Sequence, residues 1–182
     1  MAGGREVDRG KIKQLVLYLS QASAEDEGYG MVKLNKLLFR ADTEAWRLLG
    51  KSITGAAYQR EDHGPVLTGL QDMAEELVSE DRAKWGHRQR GDFTSDYLIA
   101  LQGPEPNAFT PEQEEIINRA MKELAEHGGK SVSLWSHREI VAWRMLKNGE
   151  EIPYETTIVA SGPAHPNAVK RLRERILSGN WG

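Results

Sequence analysis

The chain has 182 residues, a length that suits one domain with extensions and a core large enough to need no covalent staples. Its net charge of −3 argues against a dedicated electrostatic nucleic-acid binder, while its count of 0 cysteines excludes disulfides and thiolate metal sites and fits a reducing compartment. No run of residues approaches the ~20 apolar positions that a membrane span needs, and the start of the chain lacks the apolar stretch of a secretory signal, so we expect a cytoplasmic protein.

Two amphipathic helices are predicted in the first part of the chain. Asp8 suits the N-cap of a helix that ends near Ala22, because apolar residues recur there at helical spacing. A second helix is predicted from about Met31 to Leu49, where leucines and alanines form an apolar stripe. Gly50 then tolerates the left-handed conformation that commonly ends a helix.

The second helix also carries cations at helical spacing. Lys33, Lys36 and Arg40 recur every three or four residues and fall largely away from the apolar stripe. The pattern predicts that they line one exposed face, which is either simply solvated or a contact surface.

The middle of the chain is predicted to contain β-structure on either side of a further helix. Residues 51–59 predict a short strand or an extended connection. Gly64-Pro65 predicts a helix start, because proline at the first helical position gives up only a donor that is unpaired anyway. Residues 81–101 predict a β-hairpin with its turn at Gly91-Asp92, since aromatic and β-branched residues flank that turn.

The clearest local signal is Thr110-Pro111-Glu112-Gln113, a capping box with proline at the first helical position. The helix it starts should end at Gly128-Gly129. Ser136 and Glu139 are spaced as a second capping box, within one or two short helices, and a final basic helix follows near the C-terminus. The predicted fold is therefore α+β and predominantly helical, with five or six helices packed around a small antiparallel β-sheet or hairpin.

No motif announces catalysis or a metal. His63 and His137 each have a carboxylate nearby, but neither shows the His-Glu-x-x-His spacing that places two ligands on one helix face. Ser136 and His137 are adjacent, yet no Gly-x-Ser-x-Gly turn surrounds the serine. We therefore expect no catalytic residue, no metal and no cofactor. An acid–base enzyme that uses His63 and His137 stays open as a weaker hypothesis.

The tryptophans allow two interpretations. Trp46, Trp135 and Trp143 are either core aromatics whose N–H groups are satisfied locally, or parts of an exposed partner-binding patch, because aromatic residues dominate interface hot spots.

Three blocks, in this order and spacing, resemble the Panacea or SocA-like antitoxin domain family over roughly residues 12–143. The matching positions are Lys33, Leu34, Asn35, Lys36, Leu37, Leu38 and Phe39; Thr54, Gly55, Tyr58, Gly64 and Pro65; and Ser136, His137 and Trp143. The corresponding division of the chain is a flexible N-terminus at 1–10, the domain at 11–146, and a C-terminal extension with the basic helix at 147–182.

The resemblance implies an antitoxin of a bacterial or phage toxin–antitoxin system, which is not an enzyme and neutralises a cognate toxin by direct protein–protein binding. Some relatives instead hand the toxin to an ATP-dependent protease, so a proteolytic adaptor is the alternative. Neither role requires nucleic acid or a membrane.

Site residues follow from the blocks. Candidates for partner binding are Lys33, Lys36, Tyr58, His63, Trp135 and His137. Candidates for the structural framework of the motif are Asn35, Gly55, Gly64, Pro65, Ser136 and Trp143.

Overall fold

The computed structural model describes residues 7–125, 146–157 and 165–178. The expectations for Trp135, Ser136, His137 and Trp143, and for the end of the helix at Gly128-Gly129, lie outside these residues.

The described residues form a predominantly helical α+β structure, as the sequence predicted. Two separate two-stranded antiparallel sheets take the place of one small sheet. The helices are α1 (Arg9–Ala22), α2 (Met31–Leu49), α3 (Leu70–Ser79), α4 (Pro111–Leu124) and α5 (Pro166–Ser178). The hairpins are β1 (Tyr58–Glu61) with β2 (Gly64–Leu67), and β3 (Ala83–Arg90) with β4 (Phe93–Ala100).

The local signals for helix ends are confirmed. The side chain of Asp8 accepts a hydrogen bond from the Lys11 N–H at 2.8 Å, as an N-cap should. Gly50 ends α2 in the left-handed region with a φ of 72°. Thr110 and Gln113 form the complete capping box at the start of α4.

The expected helix start at Gly64-Pro65 is wrong. These residues begin strand β2, which pairs with β1 in the register Glu61↔Gly64 and Arg60↔Pro65. Gly64 has a φ of 109°, which no helix residue adopts. Proline is tolerated because β2 is an edge strand and need not donate on its outer side. Helix α3 starts only at Leu70.

Helix α2 lies at the centre of the fold and packs against α1, α4, β2 and β4. The prediction of an exposed cationic face on α2 is wrong for two of its three residues, because Lys33 is 2% exposed and Lys36 is 1% exposed. Arg40 is only partly exposed. Neighbours on several sides leave α2 little solvent-facing surface, so its polar side is buried as well.

The segment after residue 146 packs onto the domain. Glu151 forms an antiparallel bridge with Gln59, and the Ile152 N–H donates to the Tyr58 carbonyl oxygen at 2.8 Å. The basic helix α5 follows, and the His165 N–H beside it donates to the Arg47 carbonyl oxygen at 2.7 Å. Part of the predicted C-terminal extension is thus joined to β1 and to the end of α2. Within the described ranges no helix is long and apolar enough to cross a lipid bilayer.

Candidate functional site

Lys33 ties α2 to its neighbours. Its Nζ lies 2.6 Å from Asp26 Oδ2, in the loop before α2, and donates to the Ala125 carbonyl oxygen at 3.3 Å, beyond α4. The side chain therefore closes two connections around the start of α2 and does not reach out as a surface cation.

Lys36 is the more unusual of the two buried lysines. Burial lowers its pKa to about 8 from the ordinary value of 10.5. Within the described residues it makes no ion pair that offsets this desolvation. Lys36 thus carries a buried amine whose charged form destabilises the fold.

Tyr58 donates a hydrogen bond from its hydroxyl to Asp42 Oδ2 at 2.8 Å. Asp42 is 0% exposed and accepts two more bonds from Thr54: the N–H reaches Oδ1 at 2.9 Å, and the hydroxyl reaches Oδ2 at 2.5 Å. Burial raises the pKa of Asp42, and the bonds from Thr54 and Tyr58 oppose that rise. The Asp42 carboxylate thereby fixes β1 and the loop before it onto α2.

Aromatic rings extend this junction across the core. The rings of Phe39 and Tyr58 meet edge to face at 5.2 Å, Tyr58 and Tyr154 lie 6.1 Å apart, and Tyr154 and Trp46 lie 5.9 Å apart. The Tyr154 hydroxyl donates to the Ala56 carbonyl oxygen at 2.6 Å. Trp46 is 3% exposed, which confirms its interpretation as a core aromatic. Its Nε1, however, has no hydrogen-bond partner, and among buried side-chain polar atoms of the described chain it is alone in this.

Asn35 joins α2 to β2. Its Nδ2 donates to the Met31 carbonyl oxygen at 2.9 Å, one turn back in the helix, and its Oδ1 accepts the Leu67 N–H at 2.8 Å. Gly55, with a φ of 72°, lies in the turn that leads into β1. These positions surround the same face of α2 as the Asp42 junction.

His63 is exposed at the turn between β1 and β2. Beside it, Asp62 accepts a hydrogen bond from Asn148 Nδ2 at 2.7 Å. Of the four partner-binding candidates within the described residues, His63 is the one at the surface, while Lys33, Lys36 and Tyr58 are buried.

The sequence interpretation missed a second buried carboxylate, Glu44, which is 3% exposed. Its oxygens lie 2.5 Å from Arg47, 3.2 Å from Arg40 and 3.5 Å from Arg119, so it joins α2 to α4. Burial alone raises the pKa of Glu44, but the Arg47 hydrogen bond and the neighbouring positive charges outweigh it and hold the pKa below its usual value. The spacing of Glu44 to Arg40 and Arg47 was a usable signal for a local ion-pair network.

The described ranges contain no cluster of three or more histidine, aspartate or glutamate side chains placed to hold a metal ion. The geometry instead shows polar residues of the first two sequence blocks engaged with one another around α2. Their chemical role is to hold the β1–β2 hairpin and the neighbouring loops on one helix.

Comparison with known proteins gives a family match. The model of the family described as "Antitoxin SocA-like, Panacea domain" matches residues 34–144, more than half of the chain. No curated protein and no solved structure matches. The family match covers all three sequence blocks except Lys33, which lies one residue before its start. The chain therefore belongs to the SocA-like antitoxin family and carries its Panacea domain.

Proposed function

We propose that this protein is a cytoplasmic antitoxin that neutralises a cognate toxin protein by direct binding and without catalysing a reaction. The observation that carries the proposal is the family match over residues 34–144. The match suggests a toxin partner in general; the binding mechanism is our inference.

The use of the buried ionisable groups supports binding over catalysis. Asp42 holds Thr54 and Tyr58, and Glu44 is enclosed by arginines. A group that moves protons for a substrate must reach that substrate, whereas these carboxylates are enclosed by structural partners. His63, which the enzyme hypothesis would use, lies on an exposed hairpin turn.

Candidate contact residues follow from exposure. A rigid partner can touch only what reaches the surface, so among the described candidates we propose His63 as a direct contact. We keep Trp135 and His137 as proposed contacts from the sequence. Lys33, Lys36 and Tyr58 would act on binding through the shape of the domain.

The test uses the gene that neighbours this one. That gene is expressed from an inducible promoter in bacterial cells, with and without the affinity-tagged antitoxin candidate, and growth and co-purification are measured. We expect growth arrest without this protein, growth with it, and recovery of the two proteins as a complex. A neighbouring product that is harmless alone, or that stays toxic while this protein is present and soluble, would refute the proposal.

The same cells separate blockade from proteolytic delivery. Blockade predicts that the toxin's half-life does not shorten when this protein is present. A half-life that shortens only where an ATP-dependent protease is active would favour the adaptor instead.

His63→Ala tests the surface contact, with His87→Ala as its matched control, because His87 is exposed on the other hairpin. We expect weaker complex formation for His63→Ala alone.

A further inference from the structure

A groove opens where the start of α1 meets the end of α2 and Arg171 of α5. Its volume is about 690 Å³, within the range of cavities that bind small molecules or several side chains. The wall is formed by residues 7–9, the loop at 50–55, Trp46 and Arg171. We name it the basic groove.

We propose that the basic groove binds carboxylate groups of an acidic segment of the partner protein. This inference deepens the proposed function and rests on it for the identity of that partner as the toxin.

The charges that line the basic groove leave a positive surplus. Arg9 is paired with Glu76 at 2.7 Å, and Asp8 uses its carboxylate to cap α1. Lys51 and Arg171 also line the groove, are exposed, and have no acidic partner among the described residues. Two cations that line the groove are therefore available to an anionic ligand.

Trp46 adds an independent observation. It lines the basic groove, it is 3% exposed, and its Nε1 is the buried donor without a partner in the described chain. An indole N–H donates only, so it is satisfied by an acceptor and by nothing else. The Arg171 guanidinium stacks over the same ring, 5.1 Å from its centroid. The guanidinium at the groove wall thus favours an oxygen acceptor, and the indole beside it reports a ligand that binds there.

The helix ends do not decide the sign of the groove. The positive end of α1 begins at Arg9, but the negative end of α2 finishes at Gly50 beside it, so their dipoles oppose each other. Side chains therefore set the preference. Two available cations match one or two carboxylates, whereas Asp8 in the wall and the net charge of −3 disfavour a long polyanion such as nucleic acid.

The direct test is a titration of the purified full chain with a hexaglutamate peptide, followed by ¹H–¹⁵N NMR of the tryptophan indole signals. Trp46→Phe assigns the Trp46 signal. We expect a saturable shift of that signal with hexaglutamate and none with hexaglutamine. No saturable shift, or an equal shift with hexaglutamine, would overturn the inference. Tight binding of inorganic phosphate with no response to the peptide would assign the groove to free anions and overturn it too.

Charge reversals locate the binding. We expect Lys51→Glu and Arg171→Glu each to weaken hexaglutamate binding by about tenfold. Lys84→Glu and Arg173→Glu are the matched controls, since both side chains are exposed and neither lines the basic groove; they should bind like the wild type. Circular dichroism checks that the variants fold.

Arg171 also packs on Trp46, so Arg171→Glu could displace α5. Lys51 lies in the loop after α2, so Lys51→Glu tests the charge without altering α5. If Lys51→Glu binds hexaglutamate with wild-type affinity, the proposal is overturned.

Assays of toxin neutralisation distinguish a failure of the antitoxin function from a failure of carboxylate binding by the groove. If the wild type does not protect against the neighbouring gene product, the proposed function fails, and the peptide titration still decides whether the groove binds carboxylates. If the wild type protects and both charge reversals protect and bind the toxin equally well, the groove inference fails while the antitoxin function stands.

Discussion

Removing one hydroxyl, by Tyr58→Phe, tests the Asp42 junction most cleanly. The substitution deletes the O–H that donates to Asp42 Oδ2 at 2.8 Å and leaves the ring in place. The packing against Phe39 at 5.2 Å and against Tyr154 at 6.1 Å is therefore kept. The change in the free energy of unfolding then reports the hydrogen bond rather than a lost ring.

Its magnitude follows from the acceptor and its burial. A hydrogen bond to a charged group contributes roughly 1.5–3 kcal/mol, whereas a neutral one contributes about 0.5–1.5 kcal/mol. Asp42 is 0% exposed, so water cannot replace the lost donor. We expect Tyr58→Phe to lower the free energy of unfolding by about 2 kcal/mol where Asp42 is ionised.

The cost should depend on pH in a defined direction. Burial raises the folded-state pKa of Asp42 above its ordinary value of 3.8, so the stability that this carboxyl contributes is present below 3.8 and is lost as pH rises through the folded pKa. The Tyr58 hydrogen bond lowers that pKa, and its removal raises the folded pKa further. The difference between wild type and variant should therefore grow as pH increases.

Urea denaturation followed by circular dichroism, from about pH 5 to about pH 9, measures both quantities. Tyr154→Phe is the matched control: its hydroxyl is also buried, but it donates to a neutral carbonyl oxygen, that of Ala56, at 2.6 Å. The control should cost about 1 kcal/mol at every pH. A Tyr58→Phe cost that falls as pH rises, or one no larger than that of Tyr154→Phe, would refute the reasoning.

Three further predictions concern single positions, each measured by urea or thermal denaturation. Lys36→Met should stabilise the protein at neutral pH by roughly 1–3 kcal/mol, because it removes a buried charge. The pKa of Lys36 is about 8 in the folded protein and 10.5 ordinarily, so the wild type should become more stable as pH rises from about 8 to 10.5. That rise should be smaller in Lys36→Met. Identical profiles of stability against pH for the two proteins would contradict this prediction. Asn35→Ala should lower the free energy of unfolding by about 2–3 kcal/mol, because it leaves the buried Leu67 amide of β2 without its acceptor. Gln71→Ala, which removes an exposed side-chain hydrogen bond, should leave that free energy almost unchanged. Equal losses in the two variants would argue against the hydrogen bond between α2 and β2. Gly86→Ala should lower the free energy of unfolding by about 1–2 kcal/mol, because the added Cβ would lie 2.6 Å from Cζ of Tyr97. An unchanged denaturation midpoint would contradict this and show that the Tyr97 ring moves aside freely.

Much of the fold could be predicted from interactions between residues close together in the sequence. The Asp8 cap, the Gly50 stop and the Thr110 capping box each depend on residues within a few positions of one another, and all three are present in the structure. The β3–β4 hairpin was predictable for the same reason, because its turn and its flanking strands are adjacent in the chain. The order of the three blocks also sufficed for the family.

The Gly64-Pro65 start was misread because its local chemistry is compatible with two structures. Proline fits the first turn of a helix and also an edge strand, and only pairing with β1 selects the strand.

The candidate site could be predicted from the sequence only in part. Tyr58 and Asn35 stood out as polar residues within a block, but the sequence did not show that they bond to Asp42 and to β2 across the core. Helical periodicity identifies one apolar side and says nothing about how many elements pack around the helix. The buried state of Lys33 and Lys36 therefore came from tertiary packing.

The sequence by itself determined the helix caps, the hairpin turn, the absence of cysteine chemistry and the family. Only the tertiary structure decided that the polar side of α2 is buried, that residues near 151 pair with β1, and that Lys51 and Arg171 share one groove with Trp46. The physical reason is distance along the chain. Local conformation depends on neighbours a few residues away, whereas burial, strand pairing and grooves depend on which distant surfaces meet.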